Sequence, residues 1–364
     1  MSERVLLNLG PQHPSTHGVL RLVVELEGER VVNVTPVIGY LHRGFEKIAE
    51  NRRYIQITPL TDKLDYVSSM ANNMAYVKAV EELLGLEVPE RAEYIRVIVL
   101  ELQRIASHLL ALGSIGNDLG MPFTLMMYTF RERETILDLF ESLSGARLGY
   151  NYITIGGVMD DLPLGFTDFT LSFLRELRQK IEEYEDLVYD NEIFVKRTEG
   201  IGVLSPKDAI NLGATGPVLR GSGVRRDIRK EDPYSIYHYF DWRIVTGKRG
   251  DCLSRISVWI NEMKMSADIV EQAIENIPPG LFRAKVSRVV RPPEGEVYSR
   301  IESPRGELGF HIIGDGSTHP YRLKIRSPAF CNLSILPHLA KGVFIADLIA
   351  ILGTLDPVFG EVDR

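Results

Sequence analysis

Apolar side chains recur at three- and four-residue spacing through four long stretches of this chain, 62–84, 91–112, 123–143 and 166–189. That period lays one apolar stripe along a helix, whereas a strand repeats every two residues. Gly85, Pro89, Gly120, Pro122, Gly156, Gly157 and Pro163 fall between the stretches and break them. Long helices joined by short links bury their stripes against one another, so residues 61–195 are expected to form a central helical bundle. A further helical stretch, 251–277, is expected to pack on it.

The flanks read differently. Residues 5–9 form a strand candidate, and 19–26 with 30–35 flank Gly28 as a hairpin. Near the other end, 298–302, 309–313 and 321–325 alternate between Gly-rich turns. A short helix is expected at 205–212, a Gly/Arg-rich loop at 213–229 and a closing helix at 332–352. The expected fold is α+β, mainly α, in one compact unit. It divides into a β-rich segment with a His loop (1–60), the bundle (61–195), a mixed region (196–330) and a C-terminal helix and tail (331–364). The β-elements of the two ends are expected to pair around the bundle.

At 364 residues, with 45% hydrophobic and 25% charged side chains, the chain can bury a large core. A net charge of −7 argues against wholesale nucleic-acid binding and leaves a local basic patch open. Cys252 and Cys331, 79 positions apart and in no motif, offer neither a disulfide framework nor a four-cysteine cluster, and fit a reducing compartment. The N-terminus has no signal-peptide pattern. The longest nearly apolar run, 342–355, is interrupted by Asp347 and too short to span a bilayer.

The loop 10–18 holds two prolines, two glycines and two histidines, His13 and His17. Proline restrains the backbone, so the imidazoles sit at fixed positions, either as proton donors near neutral pH or as partners of the backbone in a tight turn. Tyr66, expected one turn into a helix, is either a packing residue or a phenol that donates to a carbonyl oxygen. Asp118 is either a cap for the following helix or an acid that orients His17. Arginines recur in loops, among them Arg43, Arg220 and Arg305, where most are expected to be solvated. The sequence holds no P-loop, no dinucleotide fingerprint and no Gly-x-Ser-x-Gly elbow.

Several runs are more specific than any single residue. They are Gly-Pro-Gln-His-Pro-Ser-Thr-His-Gly-Val-Leu-Arg at 10–21, Gly-Tyr-Leu-His-Arg-Gly-Phe-Glu-Lys at 39–47, Asp65-Tyr66-Val67-Ser68, Ser144-Gly145-Ala146-Arg147, Asp-Leu-Pro-Leu-Gly at 161–165, Leu-Arg-Gly-Ser-Gly at 219–223, Gly250-Asp251-Cys252 and the terminal Phe-Gly-Glu-Val-Asp-Arg. In this order and spacing they resemble the 49-kDa-type (D-type) subunits of respiratory complex I, an NADH-quinone oxidoreductase. The likeness covers essentially the whole chain. It implies a fold like that of the nickel-iron hydrogenase large subunit, whose two Cys-x-x-Cys motifs are here occupied by Asp65 and Ser68 and by Val358 and Glu361. No metal is then expected on this chain.

The resemblance implies a quinone substrate whose headgroup is bound by His17 and Tyr66, with Asp118 as the acid paired to that histidine. It places Arg43 and Lys63 beside the terminal [4Fe-4S] cluster of a small iron–sulfur partner. It adds a 30-kDa-type (C-type) subunit and a membrane-arm quinone-channel subunit as neighbours. NAD and FMN lie elsewhere in such a complex when NADH is the donor; ferredoxin or F420H2 as donor stays open. The implied location is peripheral, on the cytoplasmic side of the inner (plasma) membrane. Two alternatives are an energy-converting hydrogenase large subunit, which would need the missing cysteines, and a purely structural bridge, which would not need His17, Tyr66 and Asp118 together. Lys63 stands where many members have Arg. Leu148-Gly149 follows Arg147, where members using high-potential quinones often carry His at the second place. That points to a lower-potential acceptor such as menaquinone, plastoquinone or methanophenazine.

Overall fold

The computed structural model describes residues 4–13, 16–121 and 123–364. Pro14 and Ser15 of the His loop, the expected breaker Pro122 and the first three residues lie outside the described residues.

The helix Glu90–Asp118 is the axis of the molecule. It is buried on almost every face from Ala92 to Gly116, as expected of a helix surrounded by other elements. The helices Thr124–Ser144 and Cys252–Asn276 pack along it, and Phe166–Tyr189 closes the bundle. Glycine inside a helix is unfavourable by roughly 0.5–1 kcal/mol, and the reason for it here is close approach. A β-carbon at Gly116 would meet the Leu125 side chain at 2.7 Å, so a larger residue would push the two helices apart.

The flanks form two separate three-stranded antiparallel sheets. In the first, β1 (Arg4–Leu9) pairs with β2 (Arg21–Glu27), which pairs with β3 (Arg30–Val37) through the hairpin at Gly28. Leu22, Val24 and Leu26 alternate into the core, the period-2 pattern that fixes register. After the short pair β4 (Ile153–Thr154) and β5 (Gly157–Val158), the second sheet joins β6 (Gly295–Ser303), β7 (Gly306–Gly314) and β8 (Pro320–Arg326). The expected pairing of the two ends is therefore corrected. What reaches β3 from the C-terminal region is an irregular segment: Val31 N–H donates to the Val343 carbonyl at 2.8 Å, and Gly342 N–H donates back to the Val31 carbonyl at 2.8 Å.

Two further expectations change. The closing helix is broken into Pro328–Leu333, Leu336–Leu339 and Ile345–Leu355, with prolines opening the first two and Gly342 in left-handed backbone before the third. The stretch 213–229 is not an open loop. It contains the helix Gly216–Gly221 and leads into Ile228–Glu231. Two of its arginines are buried in an ion network rather than solvated. Arg220 reaches Glu262 and Glu302 at 2.6 Å each, and Arg229 reaches Glu101 at 2.9 Å and Asp227 at 2.7 Å. Burial alone would push the Glu101 carboxyl up, but Arg104 and Arg229 hold it down at about 2. This network ties the axial helix, the Cys252–Asn276 helix and β6 to one another and so fixes the frame on which the site is built.

Candidate functional site

Three segments far apart in sequence converge at the C-terminal end of the axial helix. The His loop is stitched by Thr16, whose hydroxyl donates 2.8 Å to the His13 carbonyl. Its glycine at 18 lies against Phe359, where a β-carbon would strike the ring at 2.6 Å. His17 itself adopts left-handed backbone, φ 54°, uncommon for a residue with a side chain and frequent where function imposes it. Its Nε2 lies 2.7 Å from Asp118 Oδ2, across 101 residues of sequence. Asp118 is the last residue of its helix. The turn that follows is held instead by Asn117, whose side chain accepts from Phe123 N–H at 3.2 Å.

Tyr66 does not lie in a helix, contrary to expectation. The helix that follows begins at Ser69, and residues 62–68 form consecutive turns. Asp65 explains this: its Oδ1 accepts the Val67 N–H at 3.0 Å and its carbonyl accepts Ser68 N–H at 3.0 Å, so its side chain competes with helical bonding. The turn leaves Tyr66 partly exposed, on a cavity of about 280 Å³ that His17, Asp118, Arg305, Asp356 and Val358 also line. Burial, then the Asp65 charge, raises the phenol above its ordinary range, so it stays protonated as a donor at neutral pH.

Sequence reasoning does not pick out Arg305 and Asp356, which line this cavity, or the buried Glu361 close to Asp65 and Arg305. Arg305 is almost fully buried and forks two segments together: Nη1 reaches Asp65 at 2.6 Å, while Nε donates to the Asp356 carbonyl at 3.0 Å and Nη2 to its carboxylate at 3.2 Å. Asp356 ends the helix Ile345–Leu355 in left-handed backbone, φ 49°, immediately before Pro357. Burial lifts its carboxyl to about 6, with Arg305 opposing and Asp65 reinforcing the shift. Glu361 is fully buried, and its Oε2 accepts Ala329 N–H at 3.2 Å. Burial and then the Asp65 charge push it up to about 8. The usable signal is motif position: Asp65 lies in the run Asp65-Tyr66-Val67-Ser68 and Glu361 in the terminal Phe-Gly-Glu-Val-Asp-Arg.

A raised acid pKa stabilises the fold only while the acid is protonated. For Glu361 that contribution is complete below about 4.5, the ordinary value, and is lost as pH rises through about 8. Glu361→Gln keeps an acceptor for Ala329 and cannot ionise. Thermal midpoints of the intact assembly between pH 5 and 8 should therefore show the variant gaining on wild type as pH rises; equal slopes would show Glu361 ionised throughout.

Arg43 and Lys63 lie on an exposed edge beside this turn, with Arg43 donating 2.6 Å to the Lys63 carbonyl. A β-carbon at Gly149 would lie 2.8 Å from the Lys63 ammonium, so the cation fills the place a side chain at 149 would take. Among the described residues, no group of three or more His, Cys, Asp or Glu side chains is arranged to hold a metal ion. No described helix is long and apolar enough to cross a membrane.

The fold is mixed and mainly helical, and it sets a cavity lined by His17, Tyr66, Asp118 and Arg305 where the His loop, the Tyr66 turn and the C-terminal tail meet. Residues 118–292 and 282–364 match the family described as respiratory-chain NADH dehydrogenase, 49 Kd subunit. The NADH-quinone oxidoreductase D subunit of Dehalococcoides mccartyi is 54% identical over 363 residues, covering 100% of this chain and 99% of that protein. The D subunit of Desulforamulus reducens is 51% identical, covering 100% and 99%, and the second D subunit of Rhizobium meliloti is 48% identical, covering 100% and 96%. The chain belongs to this family of 49-kDa subunits of a multi-subunit oxidoreductase.

Proposed function

We propose that this chain supplies the quinone-headgroup site of a complex I-type proton-pumping oxidoreductase. The observation that carries this reading is one cavity bearing Tyr66 and the Asp118-held His17. Reduction of a quinone to a quinol consumes two electrons and two protons, one proton at each carbonyl oxygen. A small iron–sulfur partner, with its terminal [4Fe-4S] cluster near Arg43 and Lys63, would supply the electrons one at a time. Tyr66 donates to one carbonyl. His17 has Nε2 committed to Asp118, so it delivers to the other from Nδ1 when the ring carries both protons. The 30-kDa-type and membrane-arm subunits complete the setting, which is peripheral on the cytoplasmic face of the membrane.

After proton delivery, negative charge is left on Tyr66 and uncompensated at Asp118. That charge can drive ionisation changes at membrane-side acids. Asp118→Asn removes the anion while keeping a hydrogen-bonding side chain. It is expected to retain quinone reduction and lose proton pumping, measured as acidification per electron pair in vesicles. Normal pumping in that variant contradicts the coupling step. The donor is identified in the same membranes by offering NADH, reduced ferredoxin and reduced F420 in turn. Loss of the wild-type rate in Tyr66→Phe with whichever donor works supports the site.

A further inference from the structure

Residues 281–293 contain Arg283, Lys285, Arg288 and Arg291 and no acidic residue, in a chain whose net charge is −7. All four cations are exposed, and none forms an ion pair with a described residue. The segment is not a loose loop. Ala284 N–H donates to the Gly156 carbonyl at 2.7 Å, and Val158 N–H donates to the Phe282 carbonyl at 3.1 Å, which fastens residues 282–284 to β5 by an antiparallel bridge at Arg283. The approach is allowed by two glycines: a β-carbon at Gly157 would meet the Phe282 carbonyl at 2.3 Å, and one at Gly156 would meet Val286 at 2.5 Å. Beneath the strap lies a cavity of about 330 Å³, floored by Ile55, Ile155 and Val286, with Arg283 and Arg288 among its lining and Met159 partly exposed on its wall.

We propose that this strap and cavity seat an acidic, extended segment of a partner protein in the assembly. Charge complementarity selects an anionic occupant, and cations at 283, 285, 288 and 291 along one exposed segment suit an extended peptide that carries both carboxylates and apolar side chains. The apolar floor takes the side chains that face inward. The proposal rests on the chain's membership of a multi-subunit family and not on the quinone chemistry, so either can fail alone.

The test uses the intact assembly in native membranes, with a photo-crosslinking amino acid at Met159. The expected product is a crosslink to an Asp/Glu-rich stretch of a partner protein, retained in R283K/R288K and reduced about tenfold or more in R283E/R288E. Should the charge-reversed chain fail to enter the assembly, salt replaces it: raising ionic strength before irradiation of the wild type should lower the same yield. A crosslink to lipid alone, no crosslink, or a yield indifferent to both charge reversal and salt overturns the proposal.

Discussion

Tyr66→Phe, which removes one hydroxyl and leaves the ring, is expected to lower donor-driven quinone reduction by about a hundredfold or more. The loss combines a hydrogen bond to a carbonyl oxygen with the proton that oxygen must receive. The side chain is partly exposed, so losing its hydroxyl leaves no buried void, and the assembly should keep its composition and heat stability. The measurement is turnover per assembled complex at saturating short-chain quinone. A variant that matches wild type with every donor removes Tyr66 from the chemistry and makes the structural-bridge reading the leading one.

Arg305→Ala should have the largest effect on the fold itself. The guanidinium holds Asp65 from the Tyr66 turn and Asp356 from the C-terminal tail, and Arg305 and Asp356 both border the cavity. Breaking a buried pair by removing one partner costs about 3–5 kcal/mol, because the remaining charges have no compensation. The two segments should then separate, with loss of both thermal stability and quinone turnover. Arg305→Lys keeps one charge and loses the fork, and is expected to fall between the two. Wild-type stability in Arg305→Ala would mean that the Asp65 and Asp356 segments are held by packing alone.

The expected elements that stand do so where periodicity is long and its breakers strong. The helix expected at 166–189 appears as Phe166–Tyr189, between Gly165 and Asp190. The hairpin around Gly28 also stands, because alternation and a left-handed glycine point to one structure. Expectation fails where polar side chains act on backbone or on each other over long distances. Asp65 unwinds the start of a helix whose apolar pattern continues through it. Arg220 and Arg229, in a stretch expected to be a loop, neutralise carboxylates contributed by the axial helix, the Cys252–Asn276 helix and β6.

For the site, the residues are nameable from sequence but their meeting is not. His17 and Asp118 each have a bland local explanation, as a turn histidine and a helix cap. Nothing in their spacing shows a 2.7 Å contact. Motif order carries them together through the family resemblance, and the fold then puts them on one cavity with Tyr66. Asp356 and Arg305 escape notice for a different reason. An Asp before Pro is a common turn signal, and a lone Arg in a strand connection usually faces water.

The most direct measurement is a density map of the intact assembly soaked with a short-chain quinone. A headgroup seated between Tyr66 and His17, with one carbonyl oxygen within hydrogen-bond distance of each, is the expected result. A headgroup bound elsewhere, with this cavity filled only by water, would contradict the assignment of the quinone site to this chain.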